Sequence, residues 1–393
     1  MEMLQRFLKF QLDEMRQKGL FREIRHLEGP QGGVVRMEGR EVIMLGSNNY
    51  LGLASNPKVK RGSIEAIKRF GVGAASVREV CGTTSLIRVL EEKLAAFYKM
   101  EKCLVFASCS SANIGMISAL MGEDSVIFSD EENHASIIDG CRASKGKTFV
   151  CPHNNTEFIS EKIVKFGDTS IKMIVTDGVF SMSGDIAPVP KLIEIANRHS
   201  AILAVDEAHS AGVLGEKGRG TPEHFGLEGK VHIITGTLGK SFGGGSGGYV
   251  VGSKELIDFL FHRSRSFIFT NAIPSSVAGS ALMAIEIIEQ HPELILKLRK
   301  NTRKIRCALS RIGFEVAEGE TPIIPIITKD TFKTMAFTRR LFENGVFAPG
   351  IGYPVVPEGQ ARIRVQVNAA LSQTMISKAI LVFEKVGKEL KLI

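Results

Sequence analysis

Tryptophan is absent from this chain of 393 residues, and tyrosine occurs only four times. Modules that bind single-stranded nucleic acid stack bases on clustered aromatic side chains, so this scarcity argues against that use. Long apolar runs are also missing. None approaches the roughly 20 residues that a membrane-spanning helix needs, and no membrane partner is expected. The six cysteines (Cys81, Cys103, Cys109, Cys141, Cys151 and Cys307) show no CxxC spacing. Neither a zinc site nor a disulfide framework is expected from them. A secretory signal is lacking too: in residues 1–21 charges interrupt the apolar residues, and no small-residue cleavage site follows. Those apolar residues (Met3, Leu4, Phe7, Leu8, Leu12, Met15) recur at helical spacing. The pattern predicts a docked amphipathic helix and a cytoplasmic protein.

A negative balance is missing as well. Lys and Arg number 50 against 42 Asp and Glu, a net charge of +8. The basic residues are scattered, and the densest cluster, 299-RKNTRKIR-306, lies in a helical pattern. That reads as a solvated helix face, so no nucleic-acid partner is expected.

What is present is an alternation of short β-branched runs and helical patterns. Candidate strands are 103–106, 124–130, 172–178, 201–207, 231–236 and 247–253, with helical patterns such as 111–121 and 189–200 between them. This rhythm predicts βαβ units in an α/β fold with a mostly parallel, doubly wound sheet, whose ligands sit at the strand ends. From about residue 275 long helices precede strands 323–328 and 361–367, the mark of a smaller α+β domain. The expected division is an N-terminal arm 1–48, a large domain 49–275 and a small C-terminal domain 276–393.

The string GTLGKS at 236–241 ends like a phosphate-gripping P-loop, and 204-AVDEAHS-210 upstream looks like the acidic box of an ATP-driven motor. A P-loop requires GxxxxGK[ST], so its first glycine belongs at 234, where Ile234 stands. The glycines of 243-GGGSGG-248 are poor material for the helix a P-loop opens. A motor is excluded.

The same residues make sense as a pyridoxal phosphate (PLP) site. Asp206 ends an apolar strand, where a carboxylate is costly unless it meets a cation such as a pyridinium nitrogen. Lys240 sits among residues small enough to leave room for a Schiff base. His134 follows a strand and offers a face for the cofactor ring. The segment 108-SCSSANIG-115 supplies N–H groups at a helix start for a phosphate. Each piece has an ordinary structural explanation; their order along successive strand ends is what favours PLP.

The chain resembles the α-oxoamine synthases, PLP enzymes of the fold-type-I class. The matching stretches are SNNYLGLA (47–54), GVGAASVREVCGT (71–83), EENHASIIDG (131–140), TDGVFSMSGD (176–185), VDEAHSAGVLGEKGRG (205–220), TGTLGKSFGG (235–244) and PVVPEGQARIRVQV (354–367). The resemblance implies a fold-type-I transferase with PLP held by Lys240, which also acts as acid and base at Cα. It implies Asp206 on the ring nitrogen, and His209 with Ser181 on the 3′-oxygen. His134 would stack on the ring, with the phosphate on Thr237 and the backbone at Cys109 and Ser110. Thr270 and Asn271 match the segment that reaches the phosphate of a neighbouring subunit, so a homodimer with a shared active site is expected. Arg364 with Asn48 would clamp the amino-acid carboxylate, and Arg22 is a further carboxylate or CoA candidate.

The implied reaction condenses an amino acid with an acyl-CoA thioester. ASVREVCGT and PVVPEGQARIRVQ look most like the glycine C-acetyltransferase branch, which makes glycine the expected substrate. Residues 27–42 look equally like the 8-amino-7-oxononanoate synthase branch, which uses L-alanine and a pimeloyl-type thioester. An aminotransferase is the remoter reading. Ser110, Ile87 and Leu371 depart from the family pattern and are expected to bear on the acyl substrate.

Overall fold

The computed structural model describes residues 1–17, 21, 24–167 and 170–393. They form two compact units, Asn48–Leu298 and Met1–Ser47 with Arg299–Ile393.

The chain begins with helix α1 (Glu2–Gln17), then strands β1 (Val34–Met37) and β2 (Arg40–Met44). The helix forms where the periodicity places it, but its expected docking is not seen. No residue of α1 is buried, and Met3 and Phe7 are 86% and 58% exposed. Periodicity reports which face is apolar, not what covers it.

In the larger unit, helices α2 (Pro57–Phe70) and α3 (Ser85–Tyr98) precede the sheet. Next come β3 (Lys102–Phe106), α4 (Cys109–Leu120), β4 (Val126–Asp130), α5 (Ala135–Ala143) and β5 (Lys147–Cys151). After them lie α6 (Thr156–Ile163), β6 (Lys172–Asp177), α7 (Val189–Arg198), β7 (Ile202–Asp206), β8 (Ile233–Thr237) and β9 (Gly248–Gly252). The seven strands pair in the order β3-β9-β8-β7-β6-β4-β5. Only β9 runs antiparallel to its neighbours, so the fold is the mostly parallel α/β sheet expected. The C-terminal ends of the six parallel strands therefore share one edge of the sheet. Fully buried Ile127, Met173, Ala204 and Val250 from the strands pack with Ile117 and Ile137 from α4 and α5. The buried stripe of α4 holds it on the sheet and points its N-terminus along the strand-end edge.

Because β8 and β9 pair as Thr237↔Gly248, residues 238–247 form a hairpin loop, and Lys240 lies on it. This is a different setting from the strand-to-helix turn of a P-loop. The chain approaches itself closely here. A Cβ on Gly236 would overlap the hydroxyl of Tyr249, which is buried and bonded to Tyr98 at 2.7 Å. One on Gly248 would overlap the backbone of Ser108 and Cys109.

The smaller unit holds a three-stranded sheet of β10 (Ile323–Lys329), β13 (Ala361–Gln366) and β12 (Gly350–Ile351). A second sheet joins β1 and β2 to β11 (Val346–Phe347). Of the three positions that depart from the family pattern, Ile87 on α3 and Leu371 are core residues, while Ser110 is exposed. Among the described residues no helix is long and apolar enough to cross a membrane.

Gly236→Ala is expected to destabilise the protein by about 1–3 kcal/mol, the scale of an overpacked core. Gly122→Ala, where nothing lies within 4 Å of the added carbon, should be nearly neutral. Chemical denaturation of both variants checks this.

Candidate active site

Six strand ends deliver chemistry to one edge. Cys109 follows β3, His134 follows β4, His153 follows β5, Ser181 follows β6, His209 follows β7 and Lys240 follows β8.

The Asp206 carboxylate lies at the centre, 3% exposed. Its Oδ2 accepts a 2.6 Å hydrogen bond from Asn113 Nδ2, and its Oδ1 accepts one from the Ala208 N–H at 2.8 Å. The Cys109 thiol lies 3.6 Å from Oδ2 and 3.8 Å from Oδ1. Burial pushes this thiol well above its usual range, and the Asp206 charge adds to the rise while Lys240 opposes it. The thiol is therefore held protonated as a donor. The Asn113, Ala208 and Cys109 groups that meet Asp206 are all neutral. A buried carboxylate so placed is suited to a cation brought in by a ligand.

His134 caps α5, and its ring joins the same network. Its Nδ1 lies 2.8 Å from Ser136 Oγ and 3.2 Å from the Ser136 N–H. Ser136 Oγ accepts from Asn113 Nδ2 at 2.9 Å, so its proton is left for the histidine. With Nδ1 accepting, the neutral ring carries its proton on Nε2. The His134 N–H donates to Asp177 Oδ2 at 2.8 Å. Asp177 stands opposite Asp206 in the β6–β7 register. Burial raises the Asp177 carboxyl well above its usual range, and the Asp206 charge raises it further. The His134 N–H and Lys240 oppose that rise. Lys240 thus acts electrostatically on both Cys109 and Asp177.

His209 is buried, with Nδ1 2.7 Å from the Tyr50 hydroxyl. Asn48 is two residues before Tyr50, and its carbonyl accepts the Tyr50 N–H at 2.9 Å. Thr237 Oγ1 donates to the Gly247 carbonyl and accepts the Gly239 N–H, closing the hairpin loop. At the start of α4, Ser108 and Ser111 form a reciprocal cap, and the first N–H groups of the helix, at Cys109 and Ser110, have no intrahelical acceptor.

Thr270 and Asn271 sit beside Ser76 and Val77, where Asn271 bridges to Val77. Arg364 belongs to the smaller unit, with its guanidinium 3.1 Å from Gln366 Oε1. Arg22 lies outside the described residues.

Sequence reasoning missed Tyr50, Asn113, Ser136, Asp177 and the side chain of Cys109. Only one local signal was available. Asn113 follows Cys109 by four residues on α4, which puts both on one helix face.

Next to Asp206, Glu207 is fully buried. It accepts hydrogen bonds from the Ser210 and Thr221 hydroxyls and from the Thr221 N–H, fixing the loop after β7. Burial pushes its carboxyl up to about 7 against those bonds. A raised carboxyl favours the protonated folded state. This contribution is complete below about pH 4.5 and is lost as pH rises through about 7. The thermal midpoint is expected to carry a downward component across that window, and Glu207→Gln should remove it; melting curves over the pH series test this.

Comparison with known proteins places this arrangement. The model of the aminotransferase class I and II family matches residues 40–383. The 8-amino-7-oxononanoate synthase of Thermoanaerobacter pseudethanolicus is 45% identical over 98% of each chain. That of Symbiobacterium thermophilum is 46% identical over 98% of this chain and 99% of its own. A serine palmitoyltransferase from S. paucimobilis, solved with a PLP–myriocin aldimine, superposes with a TM-score of 0.93 at 28% identity, covering 98% of each chain. These relatives favour the oxononanoate branch over the glycine C-acetyltransferase branch to which the motifs at 75–83 and 354–366 pointed. The chain belongs to the aminotransferase class I and II family, as a fold-type-I, pyridoxal-phosphate-dependent α-oxoamine synthase that condenses an amino acid with an acyl thioester.

Proposed function

We propose that this enzyme is an 8-amino-7-oxononanoate synthase, joining L-alanine to a pimeloyl-type thioester with loss of carbon dioxide and release of the thiol. The observation that carries the reading is full-length similarity, at 45–46% identity, to synthases of that name.

The residues at the strand-end edge fit PLP. A deeply buried Asp206, met by the neutral Asn113 and Ala208 donors, is the acceptor that a protonated ring nitrogen requires. The open N–H groups at the start of α4 suit a phosphate dianion. Bound there, PLP supplies an electron sink for negative charge developing at the amino-acid Cα.

The work of the chain's own residues follows. Lys240 would hold the cofactor, and its ε-amino group is placed to move the proton at the amino-acid Cα. Asp206, held in place by hydrogen bonds from Asn113, Cys109 and the Ala208 N–H, would face the ring nitrogen. His134 offers a ring face fixed by Ser136. His209, oriented by Tyr50, and Ser181 hold the 3′-oxygen. Thr237, with the Cys109 and Ser110 N–H groups, takes the phosphate. Arg364 and Asn48 bind the substrate carboxylate, which fixes the Cα–H bond for removal. Arg22 is assigned to the carboxylate or the CoA moiety.

We also infer a homodimer in which Thr270 and Asn271 complete the partner's phosphate site. In support, Val72, Val80 and Phe269 are 77%, 76% and 69% exposed, an apolar surface of the kind a second copy covers.

Lys240→Ala is expected to abolish turnover and the visible cofactor band. In the wild type, thiol release with L-alanine and a pimeloyl thioester should exceed that with glycine and acetyl-CoA by at least about tenfold, the scale of methylene recognition. The opposite preference overturns the proposed substrate. For the shared site, mixing inactive Lys240→Ala with a weakened Thr270→Ala/Asn271→Ala variant under subunit exchange should restore part of the activity. Each variant alone, or a mixture without exchange, should not.

A further inference from the structure

His153 stands outside the cofactor network, yet it is held by several side chains. It lies just past β5, at the same edge. Its Nδ1 is 3.0 Å from Asp130 Oδ1 at the end of β4, and its Nε2 is 3.3 Å from Asp185 Oδ2 in the loop after β6. Glu132 Oε2 approaches Nε2 to 4.0 Å, and Asn154 Nδ2 to 3.1 Å. Its own N–H donates to Glu131 Oε1. The ring packs edge-on against Phe180, with centroids 4.4 Å apart at 84°.

Every charged group facing the ring is thus a carboxylate: Asp130, Glu132 and Asp185. A neutral imidazole has one N–H and can serve only one of its two aspartate partners; an imidazolium serves both. Burial alone would pull the ring down, but hydrogen bonds to Asp130 and Asp185, with the charges of Asp130 and Glu132, push it up to about 10. The ring is therefore a cation across the neutral range.

The two loops so joined carry residues assigned to the cofactor. From Asp130 the chain turns through Asn133, whose side chain donates to the Val175 carbonyl and accepts the Asp177 N–H, to His134. On the other side, the Phe180 N–H donates to the Asp185 carbonyl, closing the turn that contains Ser181.

We propose that His153 is a positioning residue: as an imidazolium bridging Asp130 and Asp185, it locks the His134 turn and the Ser181 turn at a fixed separation and so sets the orientation of the bound cofactor ring. This rests on the roles given above to His134 and Ser181.

The test uses purified holoenzyme and reads the visible circular dichroism of the bound cofactor and its rate of release. His153→Asn keeps one amide donor but cannot bridge both carboxylates. It should alter the visible dichroism and speed release several-fold, with the far-ultraviolet spectrum unchanged. Asp185→Asn, at a half-exposed side chain, cuts the bridge on one side only and should move both readouts the same way, to a smaller extent. The double variant should resemble His153→Asn alone. Additive effects, or wild-type dichroism and release in either single variant, overturn the proposal. Should His153→Asn fail to fold, Asp185→Asn decides alone: wild-type behaviour overturns the bridge and a shifted signal upholds it. His134→Ala and Ser181→Ala separate the two readings. If they shift the dichroism and the His153 and Asp185 variants do not, the bridge fails and the site assignment stands. If neither shifts it, the site assignment fails as well.

Discussion

Three adjacent parallel strands, β4, β6 and β7, each end in an aspartate, and all three carboxylates are buried at one rim. Removing that much negative charge from water is the constraint around which the rim is built. Each carboxylate is answered differently. Asp130 meets the His153 cation. Asp177 accepts the His134 N–H and is driven towards its protonated form. Asp206 receives the neutral Asn113 and Ala208 donors.

Much of the local architecture serves this arrangement. Helix α4 must bring Asn113 and Cys109 within reach of Asp206, so its start passes closely over β9, where Gly248 leaves the space. Asn113 then serves two masters, donating to Asp206 and to Ser136, and the second bond ties the His134 ring to the same frame. A shift of α4 would disturb the Asp206 carboxylate and the Ser136–His134 pair together.

The positions of the strands were legible because β-branched runs bounded by glycine and polar residues leave a strong local signal. Lys240, Asp206, His134 and His209 stood out because chemistry-bearing residues at consecutive strand ends have few bland explanations. The P-loop resemblance was settled by Ile234 alone. What stayed hidden were pairings between distant residues: Tyr50 meets His209 across 159 positions and Asn113 meets Asp206 across 93. His153 carried no sequence signal because its two acidic partners, at the end of β4 and in the loop after β6, lie 23 and 32 positions away. The exposure of α1 was hidden because a periodic pattern is blind to burial. The substrate reading leaned towards glycine and acetyl-CoA on two short motifs, whereas full-length similarity favours the alternative. Ile87 and Leu371, two of the positions expected to bear on the acyl substrate, are both buried.

The hairpin setting of Lys240 has a mechanical side. Both feet of its loop are stitched into the sheet, with β8 held between β7 and β9, and β9 between β8 and β3. A force on the lysine tip is borne by two hydrogen-bonded ladders, and no helix must move with it. The loop is short and glycine-rich, and it is anchored at both ends to the sheet whose neighbouring strands carry the aspartate rim.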